Sequence, residues 1–270
     1  MADAIDMLAR LDGVLTAIGD VAVAVSGGVD STTLAVVAHR RLGARARMMH
    51  AVSPAVPPEG TARVHTIAAA EGWSLVVLDA GEFADPRYRA NPVERCFYCK
   101  TNLYGRIARE TGATILSGTN TDDLDDWRPG LRAAADYAVR HPYVEAGITK
   151  SAVRAIARHL GLGDIAELPA SPCLSSRVET GIAIDPAELA LIHAVETLLS
   201  ARCGAQTVRC RVRRTGLAIE LDAAALAALD DARRAALRAE IAALPGAGAR
   251  PIAFAPYRMG SAFVRLAAHV

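Results

Sequence analysis

Over its first two thirds the chain alternates short apolar, β-branched runs with amphipathic, alanine-rich stretches. The runs Val21 to Val25, Arg47 to Val52, Leu75 to Leu78 and Thr114 to Leu116 read as strands. Between them, Thr32 to Leu42, Thr61 to Glu71 and Lys100 to Glu110 repeat apolar residues at helical spacing. This alternation predicts βαβ units and an α/β fold with an open, doubly wound parallel sheet. Such sheets bind ligands at the carboxyl ends of their strands, where the connecting loops gather.

After about residue 180 the texture changes. A helix is expected from Asp185-Pro186 to Leu199, followed by strand-like runs at Thr207 to Arg213 and Leu217 to Leu221. Helical Ala/Arg-rich sequence then reaches Leu244, and a last strand spans Pro251 to Phe254. The expected organisation is a large α/β domain over 1–180 and a smaller α+β domain over 181–270.

Composition narrows the function classes. Thirty Lys plus Arg against 29 Asp plus Glu leave a net charge of +1, without the electrostatic excess of a chain dedicated to nucleic-acid backbones. Hydrophobic residues at 52% exclude a disordered chain. Only Lys100 and Lys150 are lysine, and alanine is very frequent, both read mainly as compositional bias. The acidic start Met1-Ala2-Asp3 lacks a basic signal region, and no uncharged apolar stretch reaches the ~18 residues of a membrane span. A cytoplasmic protein with reduced thiols is expected.

The strongest local signal is Ser26-Gly27-Gly28-Val29-Asp30-Ser31-Thr32, between a strand and a helix. Two glycines let the backbone turn tightly, and the helix beginning near Asp30 aims its unsatisfied N–H groups at the same point. With hydroxyls on Ser26, Ser31 and Thr32, the loop can cradle a pyrophosphate. A lone Gly-Gly turn with a capping residue would mean little, but here the complete string sits in strand–loop–helix context. It is not a Walker A loop, since no Gly-Lys-Ser/Thr follows.

A second loop, Ser117-Gly118-Thr119-Asn120-Thr121-Asp122-Asp123-Leu124-Asp125-Asp126-Trp127-Arg128, follows the Thr114 to Leu116 run. Charge runs are commonly solvated, yet this one lies where an open sheet places its ligand, and its carboxylates suit Mg²⁺. Gly118 permits close backbone approach to a nucleotide, and Arg128 can pair with a phosphate or carboxylate.

Cys96 and Cys99 lie three residues apart near a helix start, where thiolates are favoured. Alone they fit a redox disulfide, half a zinc site or part of an iron–sulfur site. Cys173, in the polar stretch Ser171 to Arg177, shifts the balance: three cysteines leave one cluster iron without a protein ligand. Cys203 and Cys210 read as packing thiols, one at a helix end and one on the core side of a strand.

The Ser26 to Ser31 loop resembles that of the N-type ATP pyrophosphatases (PP-loop), with an adenine nucleotide alpha-hydrolase-like fold. The resemblance implies cleavage between the α and β phosphates of ATP, with Asp30 toward the Mg²⁺–pyrophosphate end. Taken with Asn91 to Lys100, Gly118 to Gly130, Glu145 to Lys150 and Ala170 to Arg177, the chain is similar to the LarE family over most of its length. That resemblance implies an ATP-dependent sulfurtransferase that adenylates the carboxylates of pyridinium-3,5-biscarboxylic acid mononucleotide. AMP is then replaced by sulfur, for the nickel-pincer nucleotide cofactor.

Members with three cysteines hold a [4Fe–4S] cluster, and Cys96, Cys99 and Cys173 match that pattern. The branch that sacrifices a single cysteine places it where this chain has Pro172. The family implies Cys173, Asp30 and Arg177 at the chemistry and Glu196, Arg209 and Arg211 at the substrate. It also implies an unidentified sulfur donor and homo-oligomerisation. The ending Tyr257-Arg258-Met259-Gly260-Ser261 departs from the family's Tyr-Arg-Ser-Gly-Ser at Met259. The rival readings are a PP-loop tRNA thiolase, disfavoured by the low net charge, and a non-catalytic ATP-binding sensor, which would not need the cysteine trio.

Overall fold

The computed structural model describes residues 2–124 and 128–264, which fall into two units. One comprises residues 1–85 and 96–171, the other 86–95 and 172–270. This differs from a single break near residue 180, because the short segment ahead of Cys96 groups with the C-terminal part of the chain.

In the first unit the strands are β1 (Val21–Ala24), β2 (Ala46–Ala51), β3 (Ser74–Leu78) and β4 (Thr114–Leu116), all parallel in the order β3-β2-β1-β4. Its helices are α1 (Ala2–Ile18), α2 (Val29–Leu42) and α3 (Pro58–Glu71). The short helix α4 (Pro86–Arg89) belongs to the second unit, and α5 (Arg95–Glu110) follows it. The first unit continues with α6 (Pro129–Asp136), α7 (Pro142–Glu145), α8 (Lys150–His159) and α9 (Gly163–Ala166).

Side chains of alternating direction give this sheet two cores, one on each face. Val21, Val23, Met48 and Leu116 join α1, α2 and α8 through Leu11, Leu15, Leu34, Val153 and Ile156. The intervening Ala22, Met49 and Ile115 join Tyr104 and Ile107 of α5 and Ala133 and Ala134 of α6. The architecture is the expected α/β parallel sheet flanked by helices. Helix α1 was not anticipated, although Leu8, Leu11 and Leu15 carry its helical spacing and the last two are fully buried.

The second unit is built around α10 (Pro186–Cys203) and a mixed three-stranded sheet, with β5 (Val208–Arg213) antiparallel to β6 (Gly216–Leu221). β7 (Ile252–Pro256) runs parallel to β6, after helices α11 (Ala223–Ala227) and α12 (Asp231–Ala242). Asp185, Asp222 and Asp230 cap α10, α11 and α12 by accepting backbone N–H groups, the role short polar side chains play at helix starts. Among the described residues no helix is long and apolar enough to cross a membrane.

Candidate functional site

Chain order runs from β1 outward through β2 to β3, and β4 returns to the opposite side of β1. The carboxyl ends of β1 and β4 therefore flank the crevice where open parallel sheets bind ligands. Both loops singled out in the sequence emerge there.

Val25 continues β1 by donating its N–H to Met49 O at 2.9 Å, and the chain then turns at Gly27 with φ +80°. A side chain at Gly27 is excluded twice, by this φ and by the backbone of Gly60 in the first turn of α3, whose carbonyl carbon lies 3.0 Å from the position of a Cβ. Arg63 of α3 donates to Gly27 O at 3.0 Å and holds the turn from the same side. The Ser31 hydroxyl accepts from Ser26 N at 3.0 Å and lies 3.0 Å from the Ser26 hydroxyl, closing the loop on itself.

Gly28 begins α2 without a side-chain cap among the described residues. The first N–H groups of a helix lack intrahelical acceptors, so this end suits an anion. Thr32, expected to add a donor, is instead fully buried.

The loop after β4 meets α2 directly. A Cβ on Gly118 would sit 2.8 Å from Ser31 N, so glycine here serves close packing of the loop on the helix start. Asn120 donates to Asp30 Oδ1 at 3.3 Å, and Tyr143, whose ionisation burial pushes well above the ordinary phenol range, donates to Asp30 O at 3.0 Å. Lys150, the first residue of α8, forms an ion pair with Asp30 Oδ2. Its backbone N–H donates to Asp122 Oδ2 at 3.2 Å, and Asp123 pairs with Arg128 at 2.7 Å.

Lys150, Asn120 and Tyr143 were not picked out as site residues from the sequence. Asn120 lies in the second loop and Lys150 ends the Glu145 to Lys150 stretch, but no local signal points either of them, or Tyr143, at Asp30, which each reaches across 90 or more positions. Asp125, Asp126 and Trp127 lie outside the described residues.

His50 links this loop to α3. Its Nδ1 lies 2.8 Å from Val25 O and its Nε2 3.0 Å from the Thr61 hydroxyl. A carbonyl only accepts, so Nδ1 carries the proton and Nε2 accepts from Thr61. Burial lowers the His50 pKa and keeps the ring neutral. His141, lowered by burial too, lies 2.8 Å from the Ser117 hydroxyl.

The cysteines divide between the units. Cys96 and Cys99 occupy the first turn of α5 in one, while Cys173 precedes a 3-10 turn (Leu174–Arg177) in the other. All five cysteines are thiols. Cys210 is fully buried, and burial raises its thiol pKa far above the ordinary range. Cys203 is raised by burial too. Among the described residues no three His, Cys, Asp or Glu gather as a metal-holding group.

Arg177, 3% exposed at its side chain, makes a two-point pair with Glu196, Nε to Oε1 and Nη2 to Oε2, both 3.0 Å. Its Nη1 donates to Pro172 O at 2.6 Å, Cys173 O at 3.2 Å and the Ser176 hydroxyl at 3.0 Å. Glu196 Oε1 also accepts the Cys210 N–H at 2.9 Å. The guanidinium therefore holds the Cys173 loop in place and fastens it to α10.

Arg211 is buried, with Nε on Glu220 at 3.0 Å, Nη1 on Ser176 O at 3.1 Å and Nη2 on Arg258 O at 3.2 Å. Its donors are engaged inside the unit. Arg209 is half-buried, its guanidinium over the Tyr257 ring at 5.8 Å, and burial lowers its pKa first, with Arg177 adding to the effect.

A parallel α/β sheet with a glycine turn and a helix start at its switch point is a fold of the PP-loop type. No protein-family model matches the chain. It is 31% identical over 206 residues to the pyridinium-3,5-bisthiocarboxylic acid mononucleotide synthase of Lactiplantibacillus plantarum, covering 74% of each protein. It is also 39% identical to an uncharacterized Synechocystis protein over 74% of this chain and 75% of that one. A GMP synthase of Aeropyrum pernix is 32% identical over 50% of this chain and 28% of its own length. The chain belongs to the pyridinium-3,5-bisthiocarboxylic acid mononucleotide synthase family.

Proposed function

We propose that this protein is an ATP-dependent sulfurtransferase that converts pyridinium-3,5-biscarboxylic acid mononucleotide to its bisthiocarboxylate, for a nickel-pincer nucleotide cofactor. The observation that carries the reading is the Ser26 to Ser31 loop with the uncapped start of α2, closed by Gly118 at the β1–β4 switch point. A substrate carboxylate is a poor acyl donor. Its oxygen attacks the α-phosphate of ATP, the bond to the β-phosphate breaks, and pyrophosphate leaves. A sulfur nucleophile then attacks the acyl carbon, AMP departs, and a thiocarboxylate remains.

The Gly27–Gly28 backbone and the first turn of α2 bind the departing pyrophosphate, where N–H groups stabilise the developing charge without reorganising. Asp30 fits Mg²⁺, because that ion commonly takes one or two carboxylates and completes its shell with phosphate oxygens and water. A single carboxylate beside a phosphate loop suits a metal–nucleotide pair more than a permanent cage.

The donor chemistry of Cys96, Cys99 and Cys173 fits an iron–sulfur cluster, which would supply the transferred sulfide from its open iron. Arg177 and Glu196 hold the backbone of Cys173 for that task. The reading implies a reducing, cytoplasmic setting.

The test is incubation with ATP, Mg²⁺ and the biscarboxylated nucleotide under anaerobic conditions. Pyrophosphate and AMP should form in step with thiocarboxylate. Release of ADP would exclude the adenylation chemistry.

A further inference from the structure

We infer that Lys150, paired with Asp30, is a pyrophosphate-binding side chain that exchanges this partner for the phosphates when Mg²⁺ takes the carboxylate. The inference rests on the phosphate-loop reading above and adds a residue to it.

Lys150 begins α8, whose Val153, Ile156 and Ala157 are buried in the core shared with α2. This packing fixes where the helix starts. Thr149 caps it, and the Lys150 N–H is tied to Asp122 Oδ2 at 3.2 Å, so the root of the side chain is anchored. The ammonium then reaches Asp30, in the first turn of α2, across 120 positions of sequence.

The two side chains are 35% and 27% exposed, and ion pairs that accessible are weak. The pairing can therefore be exchanged. Asp30 is otherwise well placed, its Oδ1 receiving Asn120 and its carbonyl receiving Tyr143. A divalent cation competes for the carboxylate with twice the charge of the ammonium. The phosphates that arrive with the cation offer the displaced ammonium a new anionic partner. Lys150 would thus neutralise Asp30 before nucleotide binds and pyrophosphate after it, without leaving its helix.

The composition supplies an unusual probe, because Lys100 and Lys150 are the two lysines of the chain. Protein labelled with ¹³C at lysine Cε should give two side-chain signals, assigned with Lys100→Arg. In ligand-free protein Asp30→Asn should move the Lys150 signal. Inorganic pyrophosphate with Mg²⁺ should move it in wild-type protein, and calorimetry should show Lys150→Met weakening pyrophosphate binding about tenfold, with partial rescue by Lys150→Arg.

A Lys150 signal that ignores pyrophosphate shown to be bound by calorimetry overturns the inference and leaves the proposed function standing. So does Lys150→Met protein that binds pyrophosphate like wild type. Wild-type protein that binds neither ATP nor pyrophosphate overturns the phosphate-loop reading, and the inference with it. Should Lys150→Met fail to fold, the wild-type and Asp30→Asn spectra decide the matter alone.

Discussion

Gly118 and Ser31 are in backbone contact: a Cβ on the glycine would lie 2.8 Å from the Ser31 nitrogen and 3.0 Å from its Cα. Neither neighbour is a flexible side chain that can move aside. Gly118→Ala should therefore push the β4 loop from the start of α2 and cost about 1–3 kcal/mol, as overpacking does. ATP affinity should fall more steeply than thermal stability, because the displaced backbone is the loop proposed to bind pyrophosphate. Calorimetric ATP titration beside a thermal melt checks this, and unchanged ATP affinity would contradict it.

Arg177 is buried, Glu196 is partly so, and the pair forks at two points, so removing Glu196 strands a buried guanidinium charge. Glu196→Leu and Arg177→Met should each destabilise the second unit by roughly 3–5 kcal/mol. The double variant Arg177→Met/Glu196→Leu should recover part of that loss. Denaturant melts of the four proteins form the cycle, and strictly additive losses would argue against direct coupling.

Cysteine variants should separate the two half-reactions. Cys173→Ala should release pyrophosphate at an undiminished rate yet form no thiocarboxylate. Cys210→Ala should keep both reactions and lose about 1–2 kcal/mol of stability, since it removes a fully buried sulfur. Pyrophosphate assays, with mass spectrometry of the nucleotide product, distinguish the outcomes. Loss of one sulfur from Cys173 after turnover would show the cysteine itself to be consumed.

Anaerobically purified protein should show the broad visible absorption of an iron–sulfur cluster, and Cys96→Ala or Cys99→Ala should abolish it. Stoichiometric zinc without iron would defeat the cluster reading.

His50 gives the protein an acid limb. Burial lowers its folded pKa, so the unfolded chain takes up the proton first as pH falls. Its contribution is complete above the unfolded value of about 6.5 and is lost as pH drops toward the lower folded value. Thermal midpoints should be flat near pH 7–8 and decline below about 6.5, with a shallower decline in His50→Asn. His141, lowered by burial as well, adds to the same limb. An identical slope in His50→Asn would remove His50 from the account.

Much of the fold was legible because its signals are local. Apolar runs with glycine turns marked β1 to β4, and the helical spacing behind them marked α2, α3 and α5. Boundaries shifted where the first turn of a helix is polar: α5 begins at Arg95, not Lys100, which places Cys96 and Cys99 inside it. Arg211 was less legible. The resemblance implies a place for it at the substrate, but Glu220 on the adjacent strand and two carbonyls take its donors in the interior.

By itself the sequence determined the strand, glycine turn and helix start around residues 21–32, because they are contiguous and their conformations follow from short-range sterics and backbone hydrogen bonding. It also marked Cys210 as a packing thiol, through its alternation along a strand, and the residue is fully buried. Only the tertiary structure decided what surrounds Asp30 and what holds Cys173. Lys150 meets Asp30 because α8 buries its apolar face beside α2, and Arg177 meets Glu196 because α10 packs against the loop. Contacts between such distant positions follow from the burial of whole helix faces, which no local stretch of residues encodes.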